Sequence, residues 1–100
     1  MLTKGTQGSM VKLLKTFKWD PAKNEKLKTE RNISFNEIVD AIAKEDLLAT
    51  ISSKNYPNQR ILIVKVRSYA YMVPFVEEEN YLFLKTIFPS RLSTKKYLSS

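Results

Sequence analysis

The sequence contains no cysteine and no histidine. Without thiols it has no disulfide, no thiolate nucleophile and no zinc–thiolate site. Without imidazole it has no Ser-His-Asp apparatus, and both preferred ligand types for zinc are missing. Glycine occurs only at Gly5 and Gly8, which removes the phosphate-cradling loops of nucleotide-binding folds. No apolar run reaches the ~18 residues of a membrane-spanning helix. Residues 1–9 have no apolar stretch of the kind a signal peptide carries. They read as a disordered tail or a cloning scar ahead of a single domain over 10–100.

Acidic residues are also scarce. The 100 residues hold 10 Asp and Glu against 17 Lys and Arg, for a formal charge of +7. Such a balance points to a polyanion, most often nucleic acid, or to an acidic protein partner. It is shared by some ordinary basic proteins. The lack of cysteine fits the cytoplasm. With 43% apolar and 27% charged residues, the composition is that of a globular domain, not of a disordered chain.

Alternating apolar residues from Val11 to Trp19 read as a strand. Asp20-Pro21 then opens a helix over Pro21–Glu30, because Asp is a good N-cap and Pro suits the first turn. Ser34-Phe35-Asn36-Glu37 is a capping box, and Ile33 and Ile38 form its hydrophobic staple. Phe35, Ile38, Val39 and Ile42 recur at helical spacing, which predicts a helix over Ile33–Lys44 with one buried face. Strands follow at Leu47–Ile51, Arg60–Arg67, Tyr69–Val76 and Tyr81–Phe88. In Arg60–Arg67, Leu62, Val64 and Val66 share one face, opposite Ile61, Ile63, Lys65 and Arg67. Pro74 predicts a locally unpaired position. Pro89 ends the last strand, and Ser93 caps a short helix over Thr94–Leu98. The expected fold is α+β in the order β-α-α-β-β-β-β-α. Short turns predict an antiparallel sheet, with two helices on one face and a short C-terminal helix.

The acidic run Glu77, Glu78 and Glu79 reads as a solvated turn, not a metal site. The basic residues carry more of the functional signal. Residues 81–100 contain Lys85, Arg91, Lys95 and Lys96 and no acid. An arginine fork matches phosphate geometry, and a lysine adds a point charge. Arg60, Lys85 and Arg91 are the expected catalytic cations. Arg31, Lys65, Lys95 and Lys96 are the expected nucleic-acid contacts. If the sheet juxtaposes their strands, Arg60, Lys65, Lys85 and Arg91 converge over it. Tyr69, Tyr71 and Tyr81 can stack on bases, although such tyrosines are often core or rim residues. RNA suits a chain without histidine, because its 2′-OH supplies the nucleophile. The protein then needs only to position the strand and to stabilise charge on phosphorus. No metal and no cofactor is expected.

Three segments resemble the BrnT family of toxins. Phe17-Lys18-Trp19-Asp20-Pro21-Ala22-Lys23-Asn24-Glu25 is similar to that family's F-x-W-D-x-x-K-N opening. Ile33-Ser34-Phe35-Asn36-Glu37 is similar to its G-V-S-F-E-E segment. Ile87-Phe88-Pro89-Ser90-Arg91, with Ser93-Thr94-Lys95-Lys96, is similar to its closing I-x-S-A-R-x-A-T-x-x-E stretch. Together they cover about residues 17–98. Arg60 and Arg91 match family arginines. Glu30-Arg31-Asn32 stands where the family usually carries K-H-G, so Arg31 replaces a histidine.

The resemblance implies a RelE-like fold and a toxin of a type II toxin–antitoxin system. Such a toxin is a metal-independent ribonuclease that inhibits translation. The resemblance also implies a cognate antitoxin protein, in a 2:2 complex that binds promoter DNA through the antitoxin. The alternative is a non-catalytic basic module for nucleic acid or an acidic protein partner.

Overall fold

The computed structural model describes residues 16–99. The proposed tail over 1–9 and the first part of the strand at Val11–Trp19 lie outside them. Strand β1 spans Thr16–Lys18, helix α1 Pro21–Arg31 and helix α2 Phe35–Ala43. Strands β2 (Leu47–Ser52), β3 (Arg60–Val66), β4 (Tyr69–Glu77), β5 (Tyr81–Leu84) and β6 (Phe88–Pro89) follow, and helix α3 spans Arg91–Leu98. Among the described residues the result is an α+β fold with a mixed sheet and three helices.

Both early helices start where local chemistry dictates. Asp20 accepts the Ala22 N–H at 3.0 Å, and Pro21 fills the first position of α1. Ser34 accepts the Glu37 N–H while the Glu37 carboxylate accepts the Ser34 N–H, so the capping box is complete. Ile33 and Ile38 are both buried, as a hydrophobic staple requires. Asn32 ends α1 in the left-handed region at φ 55°, a conformation asparagine tolerates better than most residues.

The sheet order is β1-β5-β4-β3-β2, with β6 beside β4. The expectation of a wholly antiparallel sheet needs correction, because β1 pairs parallel to β5, with Thr16 opposite Tyr81 and Lys18 opposite Phe83. The intervening helices and strands return the chain to the far edge in the same direction. Adjacent hairpins β2–β3, β3–β4 and β4–β5 are antiparallel.

The strand expected over Tyr81–Phe88 breaks in two. β4 pairs with β5 at Phe75–Glu77 and with β6 at Tyr71–Met72. Pro74 stands between these stretches, where its missing N–H interrupts no ladder, and its carbonyl accepts from Lys85 N–H at 2.8 Å. Pro89 lies inside β6, and the cap of α3 is Ser90 instead of Ser93. The Ser93 N–H is the group that Ser90 Oγ accepts, at 3.0 Å.

Leu62, Val64 and Val66 of β3 pack with Val73 and Phe75 of β4 and with Leu82 and Leu84 of β5. Against them lie Leu27 of α1 and Phe35, Ile38, Ala41 and Ile42 of α2. Both helices therefore cover one face of the sheet. Trp19 stacks on Phe35, with centroids 5.5 Å apart. The other face carries Ile61, Ile63 and Lys65 from β3, Ala70, Met72 and Val76 from β4, and Tyr81 and Phe83 from β5, as the registers dictate, with Ile63 and Ala70 fully buried and Tyr81 and Phe83 partly exposed.

Candidate nucleic-acid interface

The β3–β4 hairpin closes on Arg67 and Ser68 with φ 53° and 67°. Positive φ at both central residues defines the hairpin turn that usually carries Asn-Gly. Here an arginine and a serine accept it, at a cost of about 1 kcal/mol or more each. The strained turn is held from outside. Arg67 donates through Nη1 to the Glu37 carboxylate and through Nη2 to the Asn32 carbonyl. Arg67 thus ties the hairpin tip to the α1–α2 junction.

Two more arginines reach the same end of the sheet. Arg31, the last residue of α1, donates to the Ile87 carbonyl. Ile87 is fully buried just before β6. Arg91 opens α3, which is fastened to β4 by polar contacts. The Ser90 N–H donates to the Ala70 carbonyl at 2.9 Å, and the Ala70 N–H donates to Thr94 Oγ1 at 2.8 Å. The Thr94 hydroxyl in turn donates to the Ser90 carbonyl at 2.8 Å. Ser68, Arg91, Thr94, Lys95, Leu98 and Ser99 line an open cleft of about 360 Å³.

Arg91 and Lys95 are exposed, and neither has an ion pair among the described residues. Their spacing of one helical turn puts both charges on one side of α3. The arrangement offers a planar fork and a point charge to a phosphate at the cleft mouth. Lys96 stands next to them, 5.4 Å from the Tyr97 ring centroid.

Lys65 is engaged differently. Its ammonium is 3.8 Å from Asp46, and both side chains are partly exposed. It lines a shallow cleft of about 190 Å³ with Glu37, Asp40, Lys44, Asp46 and Arg67, where acids offset the bases.

Convergence of Arg60, Lys65, Lys85 and Arg91 is not observed. Arg60 begins β3 at the end remote from the Arg67-Ser68 turn, so about 20 Å of strand separates it from that tip. It pairs with Glu77 at 3.6 Å and lies over Phe75, 5.9 Å from the centroid. Strand parity puts Arg60 on the helix-covered face with Leu62, opposite Lys65. Lys85 follows β5, exposed, with its ammonium 5.4 Å from the Phe83 centroid.

The site therefore unites Arg91 and Lys95 and brings Arg31 and Lys65 to the same end. Arg60 and Lys85 stand apart. Sequence reasoning passed over Arg67, Ser68 and Thr94 as site-forming residues. Ser68, between two strand-forming runs, does mark a tight turn in the sequence, but the structure ends β3 at Val66 and so adds Arg67 to that turn.

Among the described residues, no group of three or more acidic side chains is arranged to hold a metal ion. None of their helices is long and apolar enough to cross a membrane. No protein-family model, curated protein or solved structure matches the chain.

Proposed function

We propose that this chain is the toxin of a type II toxin–antitoxin pair, a RelE-like, metal-independent ribonuclease that engages RNA at the Arg91 end of the sheet. The observation that carries the reading is the cleft where Arg91 and Lys95 stand exposed and unpaired beside the Arg67-Ser68 tip. In this reading the RNA 2′-OH gives its proton to water and attacks the adjacent phosphorus, the P–O5′ bond breaks, and the 5′-oxygen leaves with a proton from water, so that a 2′,3′-cyclic phosphate remains. Arg91 and Lys95 stabilise the charge that develops on the phosphate oxygens. Arg31 braces the segment leading into α3 and takes the place of the family's histidine. Arg60, Lys65, Lys85 and Lys96 act as outer contacts to the strand.

The toxin element of the proposal rests on the three sequence segments, each of which has structural work here, Ser34 and Glu37 of the second closing the capping box of α2. Trp19, Asp20 and Asn24 order α1 and its junction with α2, and Ser90, Arg91 and Thr94 build the cleft. The partners in this reading are RNA and a cognate antitoxin, in a 2:2 complex in the cytoplasm that binds promoter DNA through the antitoxin.

A second reading, a non-catalytic module for nucleic acid, is favoured by the separation of Arg60 and Lys85 from Arg91. Tightly induced expression in bacteria separates the two. The ribonuclease reading expects growth arrest with fragmented RNA for the wild type, and normal growth with intact RNA for Arg91→Ala at equal soluble levels. Undisturbed growth with intact RNA from folded wild-type protein contradicts it.

A further inference from the structure

We propose that Tyr81 and Phe83, with Lys18 and Lys85, form a base-stacking platform for single-stranded RNA on the sheet face that α1 and α2 leave uncovered. The proposal rests on the RNA reading above and adds a second contact area to it. Leu82, between the two rings, is buried in the core, so the strand's alternation turns Tyr81 and Phe83 to the opposite face. Each ring is only partly buried.

Each ring also has a cation over it. Lys18 Nζ lies 4.4 Å from the Tyr81 centroid, and Lys85 Nζ lies 5.4 Å from that of Phe83. Both lysines are exposed. Neither has a carboxylate partner among the described residues.

This combination selects its occupant by charge and shape. Flat rings accept the face of any base once the two exposed lysines swing off them, and the displaced ammonium groups then meet the phosphates. Two rings at alternate positions of one strand are about 7 Å apart. That is roughly twice the 3.4 Å rise per nucleotide of a stacked duplex strand. The platform therefore suits an extended, unstacked strand and not a duplex, whose base faces are closed. A docked protein segment would need aromatic side chains placed on both rings and acidic charges beside them to satisfy Lys18 and Lys85, whereas every nucleotide of a single strand brings a flat base and a phosphate together. Val76 pairs with Phe83, and β4 runs from there to the Arg67-Ser68 tip over about 20 Å. A strand bound at both places is held at the tip by its phosphates and at the platform by its bases.

The test measures equilibrium binding of the full chain to a fluorescein-labelled oligouridylate and to a duplex of equal length and end label. Phe83→Leu and Tyr81→Leu are compared with Phe83→Tyr, Lys85→Gln and the double variant Arg91→Ala/Lys95→Ala. Circular dichroism melting verifies folding. The expected result is a loss of about tenfold for each leucine variant on the single strand, in the range set by one stacked base. Duplex binding is unchanged in them, and Phe83→Tyr keeps wild-type affinity. Should a leucine variant not fold, Lys85→Gln must still weaken single-strand binding severalfold.

Full single-strand affinity in the leucine variants, with a loss only in Arg91→Ala/Lys95→Ala, overturns the platform and leaves the RNA reading standing. Equal losses on single strand and duplex also overturn it. A wild type that binds neither RNA overturns both.

Discussion

Asn24 on α1 accepts the backbone N–H of Phe35, the first residue of α2, at 2.7 Å. Its amide nitrogen donates to Asn36 Oδ1 at 3.0 Å. Asn24 is buried, with 6% of its surface exposed. One side chain thus satisfies an N–H that the start of a helix would otherwise leave unpaired, and it does so from another helix. Asn24→Ala is expected to cost about 1–3 kcal/mol, because the buried N–H loses its acceptor. Thermal melting should show a drop of roughly 4–8 °C per kcal/mol for a domain of this size. A melting temperature within a degree of wild type would show that the contact contributes nothing.

Ser68 holds φ 67° without being glycine. Ser68→Gly should therefore stabilise the hairpin by about 0.5–1 kcal/mol, once the extra backbone freedom of glycine in the unfolded chain is offset. A lowered melting temperature would mean that the serine side chain has a stabilising partner at the tip.

Arg67 and Glu37 are joined across the tip, with side chains 49% and 38% exposed. Solvent screens a pair so exposed, so a double-mutant cycle with Arg67→Ala and Glu37→Ala should return a coupling of no more than about 1 kcal/mol. The coupling should shrink further at 1 M salt, where the screening length falls to about 3 Å. Glu37→Ala alone should cost more than the coupling, by about 1 kcal/mol, because Glu37 also completes the capping box. A coupling that salt leaves unchanged would refute the screening argument.

Much of the fold was legible because its signals are local. Asp20-Pro21 and the Ser34–Glu37 box announce their helices within four residues. The alternation in β3 marks which side is buried. The parallel pairing of β1 with β5 was not legible, since Phe17 and Leu82 are brought together by everything between them. The break between β5 and β6 depends on Pro74 of a neighbouring strand, and not on the Tyr81–Phe88 run itself. The same limit applies to the site. Arg91 and Lys95 are one helical turn apart and readable as a pair. Their company with Arg31 and Ser68 requires the hairpin to fold back onto α3. Arg60 was grouped with them by charge, whereas strand direction carries it to the far end of β3.

The most direct measurement is RNA affinity as a function of salt for wild type, Arg91→Ala/Lys95→Ala and Arg60→Ala, all confirmed folded. A phosphate-contacting pair contributes to the slope of log affinity against log salt, by about 0.7 per single-strand phosphate neutralised. The account predicts that the double variant binds more weakly, with a slope shallower by about 1.4. Arg60→Ala should change the slope by less than half as much. Wild-type affinity and slope in the Arg91→Ala/Lys95→Ala protein would contradict it.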